Sequence, residues 1–191
     1  MVEFPPLPYP SDALEPHVSE RALKIHHEQN VRGYVDTCNE ILAELGMPEA
    51  DATDAIRIAY QTNNQRLLDA ARQVINHMFF FESMRPDGGG PPEHDDNLMS
   101  AIERQYGGWE GFRTAWLAAS KSVFGSGYVW AVWSDNAGLI IVPLPNADMP
   151  SDYGAPVVSM DVWEHAYVYD YESRRKAWAE AYLDHLVSWP S

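Results

Sequence analysis

The sequence predicts an α+β fold: an N-terminal lobe of helical hairpins, then a C-terminal lobe in which helices flank a three-stranded antiparallel sheet. Three observations predict it. Helix-compatible segments with capping and stop signals fill residues 20–84. The stretch Arg85 to Asn97 holds three glycines and three prolines in thirteen residues and interrupts every pattern. Beyond it, two helical segments give way to runs rich in aromatic and branched residues, and a helix closes the chain. Helices, then a short sheet, then a helix is the order of an α+β protein. The organisation that follows is an N-terminal helical domain at 1–85, a linker at 86–96 and a C-terminal α/β domain at 97–191.

Residues 1–18 are proline-rich and read as extended. Ser19 is a suitable N-cap for a helix from Glu20 to about Leu45, where Gly46 and Pro48 stop it. Thr53 caps a second segment at 54–60. A third helix runs from about Asn64 to Met84, and Arg85-Pro86 ends it. In the second lobe, helices are expected near 97–106 and 109–123. Tyr128-Val-Trp-Ala-Val-Trp133 and Leu139-Ile-Ile-Val142 read as strands, and Ser134 to Gly138 between them is a hairpin signal. Pro156 to Asp161 reads as the third strand, and a single C-terminal helix is expected at about 169–188.

The chain has 191 residues, 46% of them apolar and 12% aromatic, enough for a packed core without a disulfide or a structural metal. Cys38 is the only cysteine, so an intrachain disulfide is impossible. It reads as an inert buried thiol. With 28 acidic and 13 basic residues the net charge is −15, which argues against nucleic acid or an anionic membrane as partner. An anionic substrate would need a local positive site against that field. The N-terminus lacks the basic and apolar regions of a secretory signal, and no apolar run approaches a membrane span, so the default address is cytoplasmic.

Chemistry concentrates at few places. Asp161-Val-Trp-Glu-His165 puts a carboxylate and an imidazole four residues apart where a strand gives way to a helical turn, half of a metal site. A structural Asp–His hydrogen bond is the blander alternative. On the first helix His26, Asn30 and Tyr34 lie at i, i+4 and i+8 and share a face. On the third, Gln73 and His77 repeat the i, i+4 spacing, with Phe80 and Phe81 as an expected aromatic collar for His77. A histidine in apolar surroundings is more often a satisfied core residue than a ligand. Two helices that each pair a histidine with a polar neighbour shift that balance.

Asn76-His77-Met-Phe-Phe and Asp161-Val-Trp-Glu-His-Ala-Tyr167 resemble the iron/manganese superoxide dismutases, and the resemblance runs nearly end to end. It begins at Leu7-Pro-Tyr and passes through Asp12-Ala-Leu-Glu-Pro-His-Val-Ser19 and Phe124-Gly-Ser-Gly127. It ends in Asp170-Tyr and the C-terminal helix. It implies His26, His77, Asp161 and His165 as ligands of one redox metal ion per subunit, with a solvent molecule as the fifth. It implies superoxide as substrate, converted to O2 and hydrogen peroxide by alternating reduction and reoxidation of the metal. Tyr34 is then at the substrate channel, and a glutamine bonds the bound solvent and tunes its protonation. Trp130 and Trp163 keep family positions near the metal. Glu164 is expected to reach across a homodimer to the partner's fourth ligand, His165 in each copy. His27 points about 100° away from His26 on a helix and is not a ligand. His17 is similar to a structural histidine, and His94 and His185 read as solvated.

The glutamine's position bears on the metal. Iron-type relatives carry it one turn before the second histidine, where this chain has Gln73. Manganese-type relatives carry it after a Pro-Asn pair, and here Pro145-Asn146 is followed by Ala147. The pattern is iron-like, with manganese or use of both metals as alternatives. Zinc on the same ligands would be redox-silent.

The chain also departs from the family. A lysine and two histidines usually follow the first ligand, but here Gln29, Asn30 and Val31 do. The interface tyrosine that pairs with one of those histidines is replaced by Val168. Both partners of one hydrogen bond are therefore lost together, which avoids stranding a buried polar group. Tryptophan is usual at Phe81 and Tyr128. Arg175 stands at the position of a channel arginine and is the expected remaining anion guide. Two functions follow: a superoxide dismutase with slower turnover, or a metal-binding relative of weak activity with a structural or other redox role.

Overall fold

A computed structural model describes residues 1–92 and 94–190. Helix α1 (Glu20–Lys24) starts at Ser19, whose hydroxyl accepts the Ala22 amide at 3.2 Å. It passes through a wide π turn, Ile25–Val31, into α2 (Arg32–Glu44). The π turn breaks the uniform step assumed for His26, Asn30 and Tyr34; such turns gather at functional sites. Helix α3 (Ala52–Thr62) is longer than expected and is capped by Asp51, not Thr53. An extended Asp51 with its carboxylate on the Asp54 amide at 2.8 Å satisfies an orphan donor and starts the helix two residues earlier. Helix α4 (Gln65–Glu82) is capped by Asn64 and packs against α2 and α3.

Helices α5 (Asp96–Tyr106) and α6 (Trp109–Ser122) precede strands β1 (Gly127–Ser134), β2 (Gly138–Pro145) and β3 (Ala155–Asp161). The sheet is antiparallel with order β2-β1-β3. Central β1 is buried on both faces through Val132, which is why Tyr128 to Val132 reads as a continuous apolar run instead of an alternating one. Pairing sets Tyr128 opposite Asp161, so these two side chains leave the same face of the sheet.

The expected single C-terminal helix is in fact two helices and a π turn. Helix α7 (Glu164–Tyr171) ends at Glu172 with φ of 54°, α8 (Arg175–Ala181) follows, and a π turn covers Tyr182–Leu186. The break turns Trp178 inward, where its indole N–H donates to the Asp161 carbonyl at 2.8 Å. Tyr182 likewise donates to the Ser159 carbonyl at 2.9 Å. The C-terminal segment therefore clamps the strand that carries Asp161.

The glycine-rich connector is strapped down. The Gly89 and Gly90 amides donate to the carbonyls of Val187 and Leu183 at 2.9 and 2.8 Å, and Trp189 donates to the Gly90 carbonyl at 2.8 Å. Gly89 has φ of 90°, and a Cβ there would collide with the backbone of Asp184. The glycines of the connector serve close backbone approach. No helix among the described residues is long and apolar enough to cross a membrane.

Candidate metal centre

Four side chains from four elements converge between the lobes. His26 comes from the π turn, His77 from α4, Asp161 from the end of β3 and His165 from the first turn of α7. Their ligand atoms all lie within 4.8 Å of one another. Asp161 Oδ2 is the hub, 3.3 Å from His26 Nε2, 3.5 Å from His77 Nε2 and 3.3 Å from His165 Nε2. The two histidine nitrogens of His77 and His165 stand 3.4 Å apart. Donors at about 2.1 Å from one ion, near tetrahedral, would be separated by roughly 3.4 Å.

The protonation of these groups supports the same reading. His77 Nδ1 lies 2.7 Å from the Gln73 carbonyl, a pure acceptor, so that nitrogen carries the hydrogen and Nε2 faces the cluster bare. His26 Nε2 and Asp161 Oδ2 are buried without a hydrogen-bond partner, although they approach to 3.3 Å. A buried imidazole nitrogen and a buried carboxylate oxygen, facing each other without partners, fit a cation between them. Burial pushes His77 down to about 3 and lowers His26 too, against the pull of Asp161. Burial would raise Asp161, but the His165 and His26 imidazoles facing it hold it well below the usual carboxylate range. The set is three imidazole nitrogens and one carboxylate oxygen, a donor set for Mn, Fe or Zn.

Those histidines carry a consequence for the metal-free protein. Unfolded, His26 and His77 titrate near the ordinary value of about 6.5; folded, burial lowers both, His77 to about 3. The unfolded chain therefore binds more protons in that window. Their stabilising contribution is complete above about pH 6.5 and is lost as the pH falls toward the folded value. The thermal midpoint of metal-free protein is expected to drop steadily between about pH 6.5 and about pH 4 in a melting series.

A cavity of about 750 Å³ lies beside the centre, separated from the ligands by its own wall. Tyr34, Gln73 and Trp163 form its inner wall. The Tyr34 ring lies 5.5 Å from that of His77, and Trp163 stacks on His165 at 5.5 Å. Gln73 is buried, with its Nε2 donating to Tyr34 Oη at 3.4 Å. Burial, ahead of the nearby Asp161 charge, raises Tyr34, so its phenol is protonated at neutral pH.

Several sequence-based placements need correction. Asn30, within the π turn, is half-buried and belongs to neither the ligand cluster nor the cavity wall. Phe80 and Phe81 collar His26, at 5.6 and 5.2 Å, more closely than His77, which Phe81 meets at 6.2 Å. Trp130 packs behind the site, on Phe79 and Tyr128 at 5.4 and 5.9 Å. Arg175 does not line the cavity. Its guanidinium is spent on the carbonyls of Val123 (2.7 Å) and Gly125 and on Tyr167 Oη (3.3 Å), bracing the turn before β1. The arginine at the cavity rim is Arg66, paired with Glu40 at 3.3 Å. It stands seven residues before Gln73 on α4, a two-turn spacing that could have exposed it. As expected, His27 is no ligand and bonds the Pro5 carbonyl at 2.7 Å. His185 is exposed but stacks on His17 at 4.0 Å, and His94 is exposed. Cys38 is buried and its thiol is pushed up to about 12.

The family model for the α-hairpin domain of iron/manganese superoxide dismutases matches residues 1–85, and that for their C-terminal domain matches residues 94–191. The chain belongs to the iron/manganese superoxide dismutase family. It is 37% identical over 188 residues to "Superoxide dismutase [Mn]" of Rhizobium meliloti, covering 98% of this chain and 92% of that one. It is 35% identical to "Superoxide dismutase [Fe]" of Synechocystis, covering 97% and 93%. It is 31% identical to "Superoxide dismutase [Mn/Fe]" of Rickettsia conorii, covering 97% and 88%. His26, His77, Asp161 and His165 form the single metal site of a superoxide dismutase of this family. Tyr128 was legible only as a departure from the family's tryptophan. Its contact with Gln73, at 2.9 Å, needed the sheet register to be seen.

Proposed function

We propose that this chain is an iron-preferring superoxide dismutase that works as a homodimer. The observation that carries the iron preference is the origin of the amide in the cavity wall. Gln73 supplies it from α4, beside Tyr34, while the position after Pro145-Asn146 is filled by Ala147, a buried residue whose carbonyl accepts from Asn76 at 3.1 Å. When bound, the metal supplies alternating one-electron oxidation and reduction of two superoxide ions. The chain's own residues do the rest. Tyr34 holds a proton at the inner end of the cavity, Gln73 fixes the direction of that hydroxyl, and Trp163 excludes water from the His165 side. Reconstitution of stripped protein with iron, manganese or zinc tests the reading. The iron form is expected to exceed the manganese form by about tenfold in superoxide consumption, with the zinc form silent. Equal rates would reject the preference, and silence with both redox metals would reject the enzyme in favour of the weakly active metal-binding alternative.

The dimer reading rests on an exposed face. Glu164, Val168 and Tyr169 are exposed on α7, and Phe124 is fully exposed on the turn that Arg175 ties to α7 through Gly125 and Tyr167. In this reading Glu164 and His165 are the residues that meet a second copy. Light scattering is expected to give a dimer, and Glu164→Lys to shift it to monomer; a monomeric parent would reject this arrangement.

A further inference from the structure

We infer that Tyr128 is a positioning residue whose single hydroxyl joins the ligand imidazole of His77 to the cavity amide of Gln73. The proposal rests on the role of Gln73 in the reading above. All three groups are buried, Tyr128 and His77 completely. Tyr128 Oη lies 2.9 Å from Gln73 Oε1 and 3.2 Å from His77 Nδ1.

The directions of these bonds follow from what each atom can do. His77 Nδ1 must carry its hydrogen, because it faces the Gln73 backbone carbonyl at 2.7 Å. Tyr128 Oη therefore cannot donate to it and stands as a second acceptor of a shared N–H. The phenol hydrogen is left for Gln73 Oε1. With its oxygen so engaged, the amide presents its NH2 to Tyr34 Oη at 3.4 Å. The order is fixed along the chain: His77 N–H to Tyr128, Tyr128 O–H to Gln73, Gln73 N–H to Tyr34.

The sheet produces this arrangement. Register places Tyr128 directly across from Asp161, so the phenol emerges beside the ligand carboxylate. An indole at this position could donate to the amide but has no lone pair to accept from an imidazole. Tyrosine adds a bond that a tryptophan here would lack. A metal on His77 Nε2 that gains charge makes Nδ1–H a stronger donor, which polarises the phenol toward Gln73 and tightens the hold on the amide.

Iron-loaded parent, Tyr128→Phe and Tyr128→Trp proteins test the inference by midpoint potential and by azide affinity of the oxidised form, alongside metal content. Loss of both bonds in the Phe variant is expected to change the reduction equilibrium by about tenfold, ~59 mV for one electron, and to weaken control of azide binding by several-fold. The Trp variant keeps the donor to Gln73 and loses the His77 bond, so its potential is expected between the other two. Identical potentials and azide affinities in parent and Phe variant would overturn the inference. So would a Trp variant equal to the parent, which also decides the question if the Phe variant fails to retain iron. A parent protein without dismutase activity whose potential still shifts in the variants would reject the function and leave the hydrogen-bond relay standing.

Discussion

Asp161→Asn is expected to abolish metal retention and superoxide consumption together, while leaving the metal-free protein as stable as the parent. Asp161 supplies the only negative charge among the four ligands and sits within 3.5 Å of all three imidazole nitrogens. Its Oδ1 also accepts the Trp163 amide at 2.7 Å, a bond that the asparagine oxygen can keep. The substitution is close to isosteric, so packing against Trp178 and β1 is preserved. What disappears is the anionic donor. Metal content at equal exposure is expected to fall by at least about tenfold, and activity with it. The stability consequence has the opposite character. Burial disfavours the Asp161 carboxylate while the facing His165 and His26 imidazoles favour it, and an asparagine amide keeps a hydrogen bond to one of those nitrogens without the burial cost of a charge. The metal-free melting temperature is therefore expected to hold or rise slightly. The increment that metal adds to the parent by mass action is expected to vanish in the variant. Elemental analysis paired with melting curves, with and without metal, checks both halves. A variant that retains its metal would show that Asp161 is not a ligand.

Gly111→Ala is expected to destabilise the protein, although helix propensity alone predicts the reverse. Gly111 lies in the first turn of α6, where alanine would ordinarily gain about 1 kcal/mol over glycine. A Cβ at Gly111, however, would run into the backbone carbonyl of Tyr106, whose carbonyl carbon is only 2.8 Å away. That carbonyl belongs to the end of α5, and Gly107 and Gly108, with φ of 72° and 107°, make the tight corner between the two helices. The corner cannot open without separating Tyr106 from Phe112, whose rings meet edge-on at 5.2 Å. The net loss is expected to be about 2 kcal/mol or more, a fall in melting temperature of roughly 4–8 °C. Gly33→Ala is the matched control. Gly33 is exposed on α2 with nothing within 4 Å of its would-be Cβ, so alanine is expected to stabilise there by about 0.5–1 kcal/mol. A rise in melting temperature for both variants would show that the corner is not tight.

Much of this protein was determined by its sequence alone. The α+β class, the three strands and the helices of the N-terminal lobe follow from periodicity, caps and the glycine-proline break. These signals are local and act within a few residues. Local spacing offered Asp161 and His165 only as half of a metal site and left His26 and His77 as candidates; the full set of four ligands was legible through the resemblance to the iron/manganese superoxide dismutases. Tertiary structure decided what depends on where a side chain's partner comes from. A π turn at Ile25–Val31 replaced the uniform helix assumed for His26, Asn30 and Tyr34. The positive-φ residue Glu172 split the last helix and sent Trp178 to the Asp161 carbonyl. The carbonyls around Val123 claimed Arg175 and left the cavity rim to Arg66. The register of β1 on β3 placed Tyr128 between His77 and Gln73. A hydrogen bond across 51 or 55 residues leaves no trace in local pattern, since its energy is set by an approach that only the assembled core enforces.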